Sequence, residues 1–141
     1  MTNKKEIIAG IIIIGNEILS GRTKDLNTSA LSIWLNSLGI NVQEVRVIPD
    51  IEKTIIDTVN ELKKKYNYVF TTGGIGPTHD DITAESISKA FNIEYDFHKE
   101  AFSLLEKYYD SGEFNEGRQK MAKMPITANL ILNPRSGAPG F

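Results

Sequence analysis

Hydrophobic and polar positions alternate in blocks along this chain. Ile7 to Ile14 is almost wholly apolar and largely β-branched. A strand apolar on both faces belongs inside a parallel sheet covered by helices. After a polar loop beginning at Gly15, Leu31, Trp34, Leu35 and Leu38 recur at helical spacing, and Gly39 ends that helix. Trp34 is therefore read as core, with Asn27 or Thr28 as the helix cap. Asn41 to Ile48 mixes valines with polar residues, which predicts a second strand nearer an edge. Ile55, Val59, Leu62 and Tyr66 form the stripe of the next helix, with Lys63, Lys64 and Lys65 in its last turn, where positive charge suits the dipole. Tyr68-Val69-Phe70 reads as a short buried strand.

The second half is less regular. Ala84 to Phe91 reads as a helix with Ile87, Ala90 and Phe91 on its apolar face. Glu94 to Phe97 is a connector or short extended piece. His98 to Tyr109 is helical, with Phe102, Leu105 and Tyr108 or Tyr109 on one side, and Glu116 to Met124 is a further short helix despite Gly117. Leu130 to Leu132 reads as a strand before a Gly/Pro loop. The order β-α-β-α-β-α, then helices, then β, predicts a three-layer α/β/α domain with a mostly parallel sheet. At 141 residues one domain, 1–141, is the expectation. The Gly/Pro loop at the end predicts a chain truncated before further strands.

Charge and composition narrow the function. A formal net charge of −2 leaves no basic footprint for nucleic acid. The absence of cysteine excludes disulfides, thiolate metal sites and a cysteine nucleophile, and fits a cytoplasmic protein. Ile7 to Ile14 is too short to span a bilayer, and no small-residue cleavage site follows it.

The chemistry is expected between Thr71 and Glu85, where Gly73, Gly74 and Gly76 precede the adjacent carboxylates Asp80 and Asp81. Glycines between a strand and a helix let a ligand approach the backbone, and the exposed N–H groups suit an anion such as phosphate. A carboxylate beside bound phosphate points to a bridging divalent cation or to proton transfer. The plainer reading is a strand-to-helix turn whose Asp caps the helix; Asp50, after Pro49, reads equally as a cap of the next helix. Pro77-Thr78 after Gly76 excludes a P-loop, and His79 stands where a dinucleotide fingerprint needs a small residue.

Gly15-Asn16-Glu17-Ile18-Leu19, Asn27, Pro49-Asp50 and Thr72-Gly73-Gly74-Ile75-Gly76-Pro77-Thr78-His79-Asp80-Asp81-Ile82-Thr83-Ala84-Glu85 resemble the molybdopterin-binding domain of molybdenum-cofactor biosynthesis proteins (MoaB and MogA) and of the competence/damage-inducible protein A (CinA) family. Lys123-Met124-Pro125 and Asn133-Pro134-x-x-Gly137-Ala138-Pro139-Gly140 are similar to CinA-type members, a branch that includes the N-terminal domain of some eukaryotic FAD synthases.

The resemblance implies a molybdenum-cofactor-biosynthesis-protein-like fold. It implies catalytic roles for Asp50 and Asp81, with Asp81 and Asp80 as candidate ligands of Mg²⁺, Mn²⁺ or Co²⁺. It places Asn16, Glu17, Asn27, Thr72, Gly73, Gly74, Gly76, Pro77 and Thr78 in the substrate site, closed by Asn133, Pro134 and Gly137. Ile75 and the first loop depart from the molybdopterin enzymes, which carry Thr and serine-rich sequence there. The implied activity is therefore metal-dependent hydrolysis of ADP-ribose-like nucleotide diphosphates. A non-catalytic pterin- or nucleotide-binding module and molybdopterin adenylylation stand as alternatives, and molybdopterin remains a possible ligand. A homo-oligomer, dimer or trimer, is expected.

Overall fold

A computed structural model describes residues 4–141 of the chain. The chain divides after Gly73 into two compact units. The first carries β1 (Ile7–Ile14), α1 (Asn16–Leu19), α2 (Asn27–Ser37), β2 (Ile40–Ile48), α3 (Glu52–Lys65) and β3 (Tyr68–Thr72). The second carries α4 (Thr83–Phe91), β4 (Tyr95–Phe97), α5 (Lys99–Tyr108), α6 (Glu116–Lys120) and β5 (Lys123–Pro125).

In the first unit β1 is the central strand of a parallel sheet ordered β2-β1-β3, with Ile11 opposite Val45 on one side and Phe70 on the other. Residues of β1 alternate between two helices, as strand geometry requires. Ile11 and Ile13 pack with Leu35 of α2, while Gly10 faces Leu62 of α3 and the following Tyr66. A Cβ at Gly10 would come within 2.9 Å of the Tyr66 ring, so glycine is what lets that side close. The all-apolar strand is thus covered on both faces, and the fold is mixed α/β around a parallel sheet.

Both outer strands are less buried than β1. β2 alternates exposed and half-buried residues as expected, but β3 is not a buried strand: Tyr68 is 50% exposed. Trp34 also departs from its expected place. It is 55% exposed, and of the α2 stripe only Leu35 is buried. Leu35 reaches the central strand; Trp34 and Leu38 lie on a helix flank that no strand of the sheet covers, and Val45 and Val47 of β2 are similarly open. The α3 stripe is buried at Ile55, Val59 and Leu62. On the outer surface Arg46 donates to both carboxylate oxygens of Glu61 at 2.7 Å, and this bond holds the Glu61 carboxyl at about 2.

The second unit packs around Ala101, Leu105, Ala122 and Met124, joined by Phe102, Tyr109 and Phe114. Its β4 and β5 pair antiparallel, with Asp96 opposite Met124. That pairing corrects the expected helix over Glu116 to Met124: α6 stops at Lys120, and the backbone of Lys123–Pro125 bonds to β4 instead. Leu130 to Leu132 is not a strand either; Ile131 makes one isolated bridge to Gly140, and Ile131 and Leu132 are exposed. The buried face of α4 is Thr83, Ser86 and Ser88, not Ile87 and Phe91. Ser86 and Ser88 donate to the carbonyls one turn back, so these small side chains are buried with their hydroxyls satisfied. His98 caps α5, accepting from Ala101 N–H at Nδ1, while Nε2 bonds the Ala128 carbonyl at 2.9 Å.

Candidate functional site

The site residues expected in the first unit fall into two groups. Asn16 and Asp50 clasp each other: Asn16 N–H donates to Asp50 Oδ2 at 3.0 Å, and Asp50 N–H donates to Asn16 Oδ1 at 3.2 Å. Asp50 therefore does not cap α3, whose N-cap position is held by Ile51 without a side-chain cap bond. Its carboxylate instead binds the first N–H of α1 and ties the loop after β2 to the loop after β1.

Glu17, Asn27, Thr72 and Gly73 form the second group, around a cleft of about 270 Å³ at the carboxyl ends of β1 and β3. Ends of parallel strands are where open α/β sheets bind ligands. Gly73 closes the cleft's floor. Its φ is +92°, and a Cβ there would lie 1.9 Å from the Ile14 carbonyl oxygen, so no other residue fits without moving the backbone. Thr23, Lys24 and Asp25 complete the rim. Asp25, not Asn27 or Thr28, starts α2: its Oδ1 accepts from Asn27 N–H at 2.9 Å and Thr28 N–H at 3.3 Å, and its Oδ2 accepts from the Thr28 hydroxyl. The Thr28 hydroxyl bond is the main reason the Asp25 carboxyl is held below its usual range. Among the described residues, Thr72 Oγ1 is the buried side-chain polar atom with no hydrogen-bond partner.

In the second unit the glycine loop runs into α4. Gly74, Gly76 and Asp81 border a small cleft with Tyr95, Lys120 and Lys123; its volume, about 10 Å³, is room for roughly one water. Asp81 Oδ2 accepts from Thr78 N–H at 2.9 Å and from Thr78 Oγ1 at 2.8 Å. It lies against the α-carbon of Gly76, where a Cβ would be 2.9 Å from that oxygen. Asp81 thus folds its own loop and makes no capping bond to α4. Pro77 passes its carbonyl close to Gly117, which explains a glycine inside α6: a Cβ there would sit 3.2 Å from that oxygen. Asp80 and His79 lie beside each other at 3.2 Å on the exposed tip.

Lys120 is the residue that sequence reading missed. Its Nζ donates to the carbonyls of Thr78 and Asp81, the latter at 2.6 Å, and so fastens the loop to α6. No local signal in Gln119-Lys120-Met121 announces a bond to a loop some forty residues earlier. Tyr95 was missed too; burial, and then the charge of Glu85, pushes its phenol up.

Asn133, Pro134 and Gly137 do not border the glycine-loop cleft. They line a separate, mainly apolar cleft of about 530 Å³ with Leu104, Lys107, Tyr108, Leu132 and Pro139; only Pro139 borders both. Asn133 is occupied locally, accepting from Arg135 and Ser136 N–H and donating to the Ser136 hydroxyl at 2.7 Å.

Among the described residues no group of three or more His, Cys, Asp or Glu could cage a metal ion. Of the two candidate ligands, Asp81 borders the glycine-loop cleft and Asp80 stands on the exposed tip beside His79. Also among the described residues, no helix is long and apolar enough to cross a membrane.

Residues 10–141 match the family described as a probable molybdopterin binding domain. The chain belongs to that family. Within it, the domain is similar to the crystal structure of CinA from Thermoplasma acidophilum, a protein described as of unknown function. The TM-score is 0.87 at 32% identity, over 94% of this chain and 79% of that one. The tungsten cofactor synthesizing protein MoaB of Pyrococcus furiosus shares the fold at a TM-score of 0.58 and 22% identity, over 94% of this chain and 78% of that one. A Sulfurisphaera tokodaii protein is 42% identical over 94% of this chain and 52% of its own length, and one from Pyrobaculum arsenaticum 38% over 94% and 51%. This CinA-like domain spans about half the length of those curated relatives.

Proposed function

We propose that this domain binds a nucleotide diphosphate of the ADP-ribose type and hydrolyses its phosphoanhydride with a divalent cation. The observation that supports the reading is the glycine-loop cleft of the second unit, where Lys120 and Lys123 stand with a single carboxylate, Asp81, around Gly74 and Gly76. Positive charge beside the backbone of Gly74 and Gly76 suits phosphate oxygens. Lys120 also holds that loop in one shape before ligand arrives, the preorganisation that electrostatic catalysis requires.

Hydrolysis would form a bond from water oxygen to one phosphorus as the bridging P–O bond breaks. The bridging oxygen leaves on the other phosphate, and AMP and ribose 5-phosphate are released as dianions with two protons. Asp81 and Asp80 would hold the cation, whose chemistry is Lewis-acid polarisation of a phosphoryl oxygen. Asp81 keeps its loop closed through Thr78, and Lys120 offsets phosphate charge. Asp50, fixed in the first unit by Asn16, is the second carboxylate assigned a catalytic role by the family resemblance. Association into a dimer or trimer belongs to the same proposal, supported by the exposed apolar side chains of α2 and β2, and light scattering tests it. A cytoplasmic location suits a chain without cysteine.

A second reading, a pterin- or nucleotide-binding module without catalysis, is favoured by one observation: Asp81 Oδ2 already serves Thr78. Molybdopterin adenylylation would use the same loop. A thermal-shift panel of ADP-ribose, FAD, AMP and molybdopterin, each with and without Mg²⁺, Mn²⁺ or Co²⁺, separates them. Metal-dependent shifts with the diphosphates support hydrolysis; a metal-independent shift with the pterin alone supports the module and overturns the main reading.

A further inference from the structure

Building on the association proposed with the function, and resting on that part of it alone, we infer that two copies of this chain join through the outer side of α2, packed antiparallel across a twofold axis. α2 and α3 differ in a way that points there. Half of the fourteen residues of α3 are charged, as suits a helix with one side in water. None of the eleven residues of α2 is charged. Leu31 and Leu35 turn one side of α2 to the sheet, but Leu26, Ala30 and Ile33 lie on the opposite side, exposed. Leu26 and Ile33 are each 69% exposed, and Trp34 and Leu38 widen that surface along one flank. Val45 and Val47 of β2 are open on the same face of the sheet, because they pair with Ile11 and Ile13, which pack on Leu35. Single apolar side chains at a surface are ordinary; six on one helix and its neighbouring strand mark a contact surface. Such a patch is on the order of 500 Å² per copy, which gives the ~1,000 Å² in total that a specific interface needs.

The order of residues specifies the occupant. Leu26, Ala30, Ile33 and Ser37 follow at spacings of four, three and four, a single seam along the helix. Read backwards, large and small exchange places. Laid antiparallel on a second copy, Leu26 meets the second copy's Ser37 and Ala30 meets its Ile33, so each bulky side chain faces a small one. A twofold interface must be complementary to itself in this way. Small residues opposite large ones let two helices approach to the usual ~8–10 Å. The Ser37 hydroxyl donates to the Trp34 carbonyl at 2.6 Å, so closing the seam leaves that hydroxyl paired. With no charge on the seam, neither copy carries an ion into the contact.

The experiment uses light scattering and sedimentation on wild type and Ile33→Lys, then cross-linking of single-cysteine variants, which this cysteine-free chain makes specific. Wild type is expected to be a dimer. Ile33→Lys places two ammonium groups in one contact and should weaken the dimer at least roughly a hundredfold. Its circular dichroism should match wild type, since Ile33 is exposed in the single chain. An equimolar mixture of Leu26→Cys and Ser37→Cys should form a disulfide-linked dimer on mild oxidation. Either variant alone should not, because the matching position of its partner lies eleven residues away along the seam, roughly 16 Å, against a limit of ~7 Å between bridged α-carbons. A monomeric or trimeric wild type, an Ile33→Lys dimer as tight as wild type, or cross-linking by each variant alone overturns the twofold contact. So does a monomer that sediments with phosphatidylcholine vesicles, which would give this face to a membrane. ADP-ribose turnover, measured in parallel, separates the contact from the hydrolase reading: a dimer without turnover overturns only the hydrolase, and a monomer with turnover overturns only the contact.

Discussion

Gly73→Ala is the substitution whose cost the structure sets most plainly. A positive φ costs an L-residue about 1–2 kcal/mol. At Gly73, φ +92°, a new methyl would also lie 1.9 Å from the Ile14 carbonyl oxygen, a backbone atom of the central strand that has no rotamer to escape into. Overpacking of that kind adds about 1–3 kcal/mol. Together the loss is about 2–5 kcal/mol, from a total stability of about 5–15 kcal/mol for a protein. At about 3–4 °C per kcal/mol for this chain length, the melting temperature should fall by roughly 6–20 °C. Gly21→Ala is the matched control: φ is +75°, but nothing lies within 4 Å of the added methyl. It bears the conformational cost alone, about 1 kcal/mol. Thermal melts followed by circular dichroism measure both. Equal losses for the two variants, or a Gly73→Ala melt within about 3 °C of wild type, would refute the close approach of Gly73 to Ile14 of β1.

Three further outcomes are expected. Asp81→Asn keeps an acceptor for Thr78 N–H and so preserves the melting temperature, but it loses the anionic group and should cut turnover at least a hundredfold. Asp81→Ala loses both Thr78 bonds as well, and hydrogen exchange at Thr78 should then speed up. Asp50→Asn retains an oxygen for Asn16 N–H, whereas Asp50→Ala breaks the clasp and should cost about 1 kcal/mol. A purely structural Asp50 predicts full activity in Asp50→Asn, and a catalytic one predicts lost activity with an unchanged melt. The fourth measurement is pH dependence. Glu61 is depressed from 4.5 to about 2 by Arg46, so its stabilisation is present above 4.5 and is lost as pH falls from there toward 2. Melts through that window should converge for wild type and Glu61→Gln, and a constant gap would contradict the Arg46 contact.

The parallel sheet was legible because Ile7 to Ile14 admits one reading: eight residues with no polar face need cover on both sides. Periodicity says which side chains share a helix face, not how far the opposing sheet extends: β1 reaches Leu35, and Trp34 is left 55% exposed. Met121 to Met124 looked helical by spacing, but β4 needed a partner for its backbone, a demand set by a distant segment. The same limit governs the site. Asp50, Asp81 and the glycines were readable as a pattern, whereas the Asn16–Asp50 clasp and the Lys120 fastening are contacts between segments far apart in the chain. The Asp25 contact is a local signal: an aspartate two and three residues before Asn27 and Thr28 reaches the N–H groups of both.

The most direct measurement of the hydrolase proposal is ADP-ribose turnover. The chain is incubated with ADP-ribose and Mg²⁺, Mn²⁺ or Co²⁺, or with chelator, and the products are resolved by ion-pair chromatography. The prediction is that AMP and ribose 5-phosphate appear in equal amounts, only with metal, and that Asp81→Asn abolishes them in a protein that melts like wild type. Intact ADP-ribose under every metal condition, with molybdopterin bound tightly by the same protein, would contradict it.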